Sequence, residues 1–213
     1  MPEITLTLGA QQIDRTVPSA DELLKRNRND TGCFYLDYQP ITPPDQVVPE
    51  DLAVTLLINS QAGWRAFHSL MEHGKTINLT QLPKKTLEKT SPEERVQISA
   101  LIAQVAQLPG FAASVATKVL HKKRPDLIPI LDNQAIFGAY MNPEWPKKTA
   151  RTDSIKNENL ILKVLDWIAF DVNRPENDDV WSSLHTIEPA RSRIQLFDSV
   201  WWMYFRMTQP ILR

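Results

Sequence analysis

The feature that most constrains this chain is a proline–glycine turn between two apolar segments with helical spacing. A capping-box pattern at Ser91–Glu94 opens the first segment, and apolar residues then recur every three or four positions. Pro109 ends that helix, because the residue before a proline avoids the helical conformation, and Gly110 permits a tight turn. A second helix is predicted from about Ala112 to Lys122. The pattern therefore predicts two helices joined by a turn without bulky side chains.

The rest of the sequence predicts a mainly α-helical protein with a short β element at the N-terminus. Apolar and polar residues alternate from Ile4 to Leu8, the pattern of a half-buried strand. Helical spacing recurs in several later segments, including a C-terminal one from about Ala190 to Met207. The chain has 213 residues, 42% of them hydrophobic, which suits one domain over 1–213, with the β element in 1–20 and a helical body in 50–207.

Composition limits the location and the cofactors that we expect. No apolar run reaches the roughly 18 residues that span a membrane, and the N-terminus lacks a basic, then apolar, signal pattern. We therefore expect a cytoplasmic protein with no membrane partner. The single cysteine, Cys33, excludes an internal disulfide and a four-cysteine iron–sulfur cluster, and no His/Cys spacing indicates zinc. We expect no metal site.

Asp132 follows the turn at a specific distance, 24 residues after Leu108. This combination resembles the helix-hairpin-helix (HhH-GPD-like) DNA glycosylases. The resemblance implies their helical fold, with the hairpin and the catalytic carboxylate, Asp132, inside residues 91–132. It also implies that the hairpin grips the DNA backbone through Leu108, Pro109, Gly110, Phe111, Ala112 and Ser114. The sequence departs from the family at Ala112, where most members have a second glycine.

Further motifs resemble a small, little-characterised bacterial family of helix-hairpin-helix proteins, over about residues 30–207. These motifs are Ala116–Lys118, Lys123–Pro125, Leu127–Pro129, Asp132, Pro49–Leu52 and Phe197–Trp201. Small glycosylases of this kind include anti-phage proteins that remove hypermodified bases, such as glucosylated hydroxymethylcytosine, from phage DNA. The resemblance implies a double-stranded DNA partner containing a modified base.

The residue at position 114 indicates which kind of glycosylase the resemblance implies. Bifunctional members carry a lysine nucleophile four residues after the first hairpin glycine, where this chain has Ser114. A serine cannot form the Schiff base that leads to strand cleavage. The resemblance therefore implies a monofunctional enzyme without lyase activity, in which ionised Asp132 stabilises an oxocarbenium-like sugar. Lys118, one helical turn beyond Ser114, is a weaker candidate for a displaced nucleophile.

A basic cluster follows the hairpin although the net charge is only −1. We expect four of its residues to hold DNA backbone, although such a cluster is often only a solvated helix end. These residues are Lys118, Lys122, Lys123 and Arg124.

A base that leaves the DNA stack needs a pocket, for which the sequence offers aromatic and polar candidates. They are Tyr35, Asp37, Tyr38, Trp64, Asn133, Gln134, Trp201 and Trp202. Large aromatic residues at helical spacing belong to a core more often than to a base pocket. Asp198, on the same apolar segment as Trp201, is expected to be a structural carboxylate paired with Arg191 or Arg193.

Other functions remain open on the sequence. A repair glycosylase for alkylated bases would use an aromatic pocket without hydrogen-bond donors. A non-catalytic helix-hairpin-helix module would bind DNA with Asp132 serving only as a helix cap. A protein-interaction domain would show no salt-dependent DNA affinity. We expect a monomer with no cofactor, and family analogy would allow a monovalent cation at the hairpin carbonyls.

Overall fold

The computed structural model describes residues 4–9, 13–30, 35, 37–58, 62–145 and 155–208. Strands β1 (Leu6–Leu8) and β2 (Arg15–Val17) form an antiparallel pair in which Leu6 faces Val17. The helices are α1 (Ala20–Asn29), α2 (Ala53–Leu57), α3 (Trp64–His73), α4 (Pro92–Gln107), α5 (Ala113–Lys123), α6 (Gly138–Met141), α7 (Glu158–Val172), α8 (Asp178–Ile187) and α9 (Arg193–Thr208). A π-helical turn, Asn133–Phe137, leads into α6, and short 3-10 turns occupy Pro49–Leu52, Gly74–Thr76, Leu87–Lys89 and Pro175–Asn177.

The helical packing forms one apolar core. Helix α4 packs against α7 and α5, and α1 packs against α9 and α8. Buried side chains from both groups belong to one contiguous cluster. The prediction of a mainly α-helical chain with a short N-terminal β element is confirmed. Within the described ranges, no helix has the length and apolar character needed to cross a membrane.

The start of α4 follows the predicted capping box. Ser91 Oγ accepts a hydrogen bond from the Glu94 backbone N–H, and the Glu94 carboxylate accepts one from the Ser91 N–H. These two bonds satisfy two of the amide groups that a helix start leaves without intrahelical partners. The prediction for this helix is confirmed, and α5 begins one residue later than the sequence suggested.

The turn between α4 and α5 depends on glycine at position 110. Gly110 has φ +84°, and a Cβ atom there would lie 2.5 Å from the Ala66 backbone nitrogen. Ser69 also donates a hydrogen bond to the Pro109 carbonyl, at 2.9 Å. The turn is therefore seated on the first half of α3. Pro109 and Gly110 nevertheless remain exposed on their other side.

The N-terminal strands are tied to the body by one buried polar group, Asp171, and one half-buried group, Arg15. The fully buried Asp171 carboxylate accepts hydrogen bonds from the Gly9 N–H at 2.7 Å and the Tyr140 hydroxyl at 2.6 Å. Arg15 donates to carbonyls at the end of α6, including those of Asn142 and Trp145 at 2.8 Å. These bonds fix the position of α6 and of the π-turn before it. They therefore also fix the segment that directly follows Asp132.

Candidate functional site

Two helices fix the extended segment that leads to Asp132. The Leu131 N–H donates to Thr117 Oγ1 on α5, at 2.9 Å. The Ile130 N–H donates to Asp198 Oδ2 on α9, at 3.1 Å. Because both bonds involve buried or partly buried groups, they position the backbone immediately before Asp132 between α5 and α9.

The Asp132 carboxylate uses its two oxygens differently. Oδ1 accepts hydrogen bonds from the Gln134 and Ala135 backbone N–H groups, at 2.9 and 3.0 Å. Oδ2 lies 3.5 Å from Ser114 Oγ and 3.6 Å from Lys118 Nζ. The expectation that Asp132 caps a helix start is confirmed. One oxygen is thus held rigidly, while the other faces side chains of α5.

Asp132 lies on the wall of a cavity between α5, α9 and the π-turn. The cavity encloses about 80 Å³, room for about six water-sized groups. Its walls are largely apolar, and the residues that line it are Asn27, Tyr35, Ile58, Lys118, His121, Ile130, Asp132, Ala135, Ile136, Gln195, Asp198, Ser199, Trp201 and Trp202. Such a concave apolar site with a few convergent polar groups is typical of a small-molecule or base pocket.

Lys118 is the second charged residue on the cavity wall that contains Asp132. Its side chain is only 10% exposed and points to the Asp132 carboxylate. Burial lowers the pKa of Lys118, while the nearby Asp132 charge opposes that shift. The two residues form a partly buried ion pair, so the charges on this wall balance each other.

On a second wall the rings of Tyr35 and His121 stack, and two basic side chains there, those of His121 and Lys122, have lowered pKa values. The Tyr35 ring stacks on the His121 ring, with centroids 6.1 Å apart, and Lys122 Nζ lies 4.2 Å from the Tyr35 ring centroid. His121 Nδ1 donates to the Ile128 carbonyl at 2.7 Å. Burial lowers the pKa of His121 to about 4 and that of Lys122 to about 8. The imidazole is therefore neutral at pH 7.

Asp198 does not have the arginine partner that we expected. Arg191 pairs with Glu188 at 3.7 Å, and Arg193 pairs with Asp178 at 2.9 Å. Asp198 instead points inward from α9, accepts the Ile130 N–H bond and lies 3.5 Å from His121 Nδ1. Burial raises the pKa of Asp198 well above its usual value. The arginine-pairing prediction is wrong because both arginines lie within reach of more exposed carboxylates.

The structure brings together some of the predicted pocket residues and separates others. Tyr35, Trp201 and Trp202 line the cavity. Trp201 is fully buried and donates to the Ala135 carbonyl, so it is also a core residue, whereas Trp202 is 37% exposed. The other five do not line the cavity, namely Asp37, Tyr38, Trp64, Asn133 and Gln134. Trp64 is 74% exposed at the start of α3, beside the turn.

The basic cluster does not form one surface. Lys118 points into the cavity and Lys122 covers Tyr35. Arg124 pairs with Asp45. Lys123 is buried in an ion pair with Asp51 at 2.8 Å, so the prediction that Lys123 contacts DNA is corrected. Successive residues of a helix point about 100° apart, and this periodicity separates side chains that are adjacent in sequence.

The first turn of α5 has backbone N–H groups without partners inside the helix. Ala112 precedes the helix without a side-chain cap, since alanine has no acceptor. The Ala113 N–H donates to the Ile155 carbonyl at 2.8 Å. The N–H groups of Ser114 and Val115 have no carbonyl one turn earlier within the helix, as at any helix start. These two amides are the groups that the turn offers to a phosphate.

Sequence reasoning missed four polar cavity residues, Asn27, His121, Gln195 and Ser199. His121 is within the basic cluster, and its spacing from Lys118 on the same helical face was a usable signal. Asn27 lies on α1, which reaches the cavity only by packing on α9, and nothing local in the sequence marks it. Across the described part of the chain, no three His, Cys, Asp or Glu side chains come together as a metal site.

The chain belongs to a protein family of unknown function, DUF6308, whose model matches residues 19–205. The match covers the cavity, the α4–α5 hairpin and Asp132. No curated protein and no solved structure matches the chain.

Proposed function

We propose that this protein is a monofunctional DNA glycosylase of the helix-hairpin-helix class, with Asp132 as its catalytic carboxylate. One observation carries the proposal. Asp132 Oδ1 is locked by two backbone N–H groups, while Oδ2 faces Ser114 and Lys118 of α5 at the wall of a largely apolar cavity. A fixed carboxylate beside a base-sized cavity and a phosphate-binding turn is the arrangement that excision of a flipped base requires.

In the reaction that we propose, the bond between the sugar C1′ and the base breaks and its electron pair leaves with the base. The negative charge of Asp132 stabilises the positive charge that develops on the sugar. Water then adds to C1′ and loses a proton, for which Asp132 Oδ2 is the nearest acceptor on this wall. The departing base takes up one proton, and the DNA keeps an abasic site.

The side chains of α5 support hydrolysis rather than lyase chemistry. Ser114 Oγ lies 3.5 Å from Asp132 Oδ2, where it can orient a water molecule but cannot form a Schiff base. Lys118 faces Asp132 at 3.6 Å. Burial favours the neutral amine of Lys118 and the Asp132 charge favours the ammonium, which has no lone pair with which to attack the sugar.

We propose that double-stranded DNA reaches this site as a monomeric 1:1 complex through the turn side of the molecule. Pro109 and Gly110 are exposed there, and the amides of Ser114 and Val115 open the next helix. Trp64 lies on the same side, because Gly110 touches the backbone of Ala66 in α3. An exposed indole beside the hairpin suits a residue that fills the gap left by a flipped base.

For the substrate we propose a modified pyrimidine, and glucosylated hydroxymethylcytosine of phage DNA is the candidate that the sequence resemblance suggests. The cavity of about 80 Å³ has room for no more than one ring, since a cavity of about 150 Å³ takes up a single benzene molecule. A glucosyl group would therefore stay outside, near the partly exposed Trp202. An anti-phage role would follow from that substrate, and a repair role from an alkylated base.

A second candidate function, a non-catalytic DNA-binding module, is favoured by the capping bonds of Asp132. Those bonds alone would explain why an aspartate occupies position 132. The two candidates differ in whether the charge on Oδ2 is needed, because asparagine can keep the cap without that charge.

The test is an abasic-site assay with the wild type and Asp132→Asn. The substrates would be unmodified DNA, alkylated DNA and phage DNA containing glucosylated hydroxymethylcytosine. Asp126→Asn serves as the matched control, because Asp126 is exposed and remote from the cavity lining. We expect abasic sites with the wild type and the control but not with Asp132→Asn. Salt-dependent DNA binding without abasic sites on any substrate would instead support the binding module.

A further inference from the structure

The cavity contains two buried oxygen atoms without hydrogen-bond partners. They are Oδ1 of Asn27 on α1 and Oδ1 of Asp198 on α9, and neither atom has a hydrogen-bond partner among the described residues. Asn27 is 4% exposed and the Asp198 side chain is 10% exposed. Both residues line the cavity. Since buried polar groups are nearly always hydrogen-bonded, these two atoms call for a water molecule or a ligand in the cavity.

Asp198 faces the cavity with a carboxyl group whose burial favours the protonated form. Its only backbone donor among the described residues is the Ile130 N–H, which bonds to Oδ2 at 3.1 Å. The nearby His121 Nδ1 donates its hydrogen to the Ile128 carbonyl. With a single donor, the buried carboxyl has its pKa raised well above the usual value. Because Oδ2 accepts a bond, the acidic proton belongs on Oδ1, which then is a donor without an acceptor.

Asn27 supplies the complementary group. Its Oδ1 atom is an acceptor that lacks a donor. A ligand that satisfies both residues must therefore carry an acceptor for Asp198 and a donor for Asn27. Neutral pyrimidines have this pair on neighbouring atoms, as the N3–H and carbonyl of a uracil or the exocyclic amine and N3 of a cytosine.

The charges around the cavity exclude attraction to a cationic base. Lys118 and Asp132 form a balanced pair on one wall. His121 is neutral because burial lowers its pKa to about 4. No uncompensated carboxylate then faces the ligand from the described lining. A positively charged alkylated purine would gain no electrostatic stabilisation there, and its two rings exceed the cavity volume of about 80 Å³.

We propose that Asn27 and Asp198 recognise the hydrogen-bonding edge of an uncharged, single-ring base, between walls that include Ile136 and Trp201. This inference rests on the proposed function and specifies its substrate class, a neutral pyrimidine with a donor beside an acceptor. Both residues act in binding. Neither takes part in bond cleavage.

Free bases test the inference without DNA or catalysis. The full chain would be titrated with 1-methyluracil, 1-methylcytosine, 1,3-dimethyluracil and N-methylpyridinium, and the amide NMR signals of Ala135 and Ile136 would be followed. Dimethyluracil keeps the ring but blocks the N3 donor, and N-methylpyridinium is a cationic ring of similar size. We expect the first two probes to bind about tenfold more tightly than dimethyluracil and pyridinium.

Two variants separate recognition from folding. Asp198→Asn keeps an acceptor for the Ile130 N–H and replaces the acid O–H with an amide N–H, so 1-methyluracil affinity should stay within about threefold of the wild type. Asn27→Leu removes the acceptor at similar volume and should abolish the preference for 1-methyluracil over dimethyluracil. Dispersed NMR spectra would establish that each variant is folded.

The outcomes distinguish this inference from the proposed function. Equal binding of both uracils to the wild type, no binding of any neutral base, or a preference for pyridinium would overturn the inference. Abasic sites that depend on Asp132 would still support the glycosylase in those cases. Edge-dependent binding without abasic sites on any DNA would support the cavity assignment and overturn the enzymatic function.

Discussion

Lys118 Nζ lies 3.6 Å from Asp132 Oδ2, and both residues line the cavity between α5 and α9. Lys118 lies on α5, a helix that the sequence predicts. Asp132 lies at the end of the extended segment that is hydrogen-bonded to α5 through Leu131. Each charge limits the cost of burying the other. The state of this pair therefore decides whether an ionised carboxylate is available at the site.

The first prediction concerns the pKa of Lys118. Burial lowers this pKa and the Asp132 charge opposes the shift. Asp132→Asn should therefore lower the pKa of Lys118 further, because asparagine retains the hydrogen-bonding shape without the charge. The pKa can be measured by NMR titration after reductive methylation with a ¹³C label.

Lys25 is the internal control for that titration, since it pairs with Asp21 and Glu22 on the surface. Its titration should be the same in both proteins. An unchanged or increased pKa of Lys118 in Asp132→Asn would show that the two residues are not electrostatically coupled.

The second prediction concerns the turn at Gly110. Gly110→Ala should reduce the free energy of unfolding by at least about 1–3 kcal/mol, because alanine is strained at positive φ. The contact of the new Cβ with the Ala66 nitrogen adds to this loss. Urea denaturation measures the change.

Gly63→Ala is the matched control, since Gly63 has φ −78° and a Cβ there would touch nothing within 4 Å. Because Gly63 is the N-cap of α3, where alanine is poorer than glycine, its free energy of unfolding should fall by no more than about 1 kcal/mol. Equal effects of the two substitutions would contradict the turn geometry.

The third prediction concerns acid stability. The pKa of His121 is about 4 in the folded protein, and in the unfolded chain it should be near the ordinary histidine value of 6.5. The unfolded state therefore binds more protons between these values, so stability is lost as the pH falls from about 6.5 to about 4. The loss due to His121 is about 3 kcal/mol.

His121→Gln isolates this contribution, because glutamine keeps a donor for the Ile128 carbonyl. The difference in the free energy of unfolding between wild type and His121→Gln should change by about 3 kcal/mol between pH 6.5 and pH 4. The contribution of Asp198 to the pH dependence of stability has the opposite sign to that of His121. Its raised pKa keeps a proton that the unfolded chain loses, so Asp198→Asn should gain stability relative to the wild type as the pH rises above about 4.

The fourth prediction concerns Lys123, which the sequence suggested as a DNA contact. Lys123→Met should lower the free energy of unfolding by about 3–5 kcal/mol, because it leaves Asp51 buried without its counter-charge. Adding Asp51→Asn should recover part of the loss. Lys123→Met should leave the salt dependence of DNA binding unchanged. A smaller slope of log affinity against log salt in this variant would instead show that Lys123 contacts DNA.

The fifth prediction concerns Trp64. Since its side chain is 74% exposed beside the turn, Trp64→Ala should keep the stability of the wild type. If the ring contacts bases, DNA binding should weaken by about 1–3 kcal/mol. Leu56→Ala is the control, at 71% exposure on α2. Similar losses for both variants would argue against a specific role for the indole, as would no loss for either one.

Local signals in the sequence were sufficient for the helical hairpin. The capping box at Ser91–Glu94, the stop at Pro109 and the positive φ of Gly110 all arise from short-range rules of backbone conformation. The cap formed by Asp132 arises in the same way. Such features depend on neighbours within a few residues, so a single sequence contains the information.

Only the tertiary structure decided how the charges and the polar cavity groups are used. Four basic residues that are close in sequence point to different partners, and Lys123 became a core ion pair because Asp51 arrives from a distant segment. Asn27 and Asp198 meet at one cavity because α1 packs on α9. The sequence by itself determined the hairpin and the position of Asp132, since both depend on local geometry. The burial and pairing of each polar group depended on contacts between segments far apart in the chain, which local patterns do not specify.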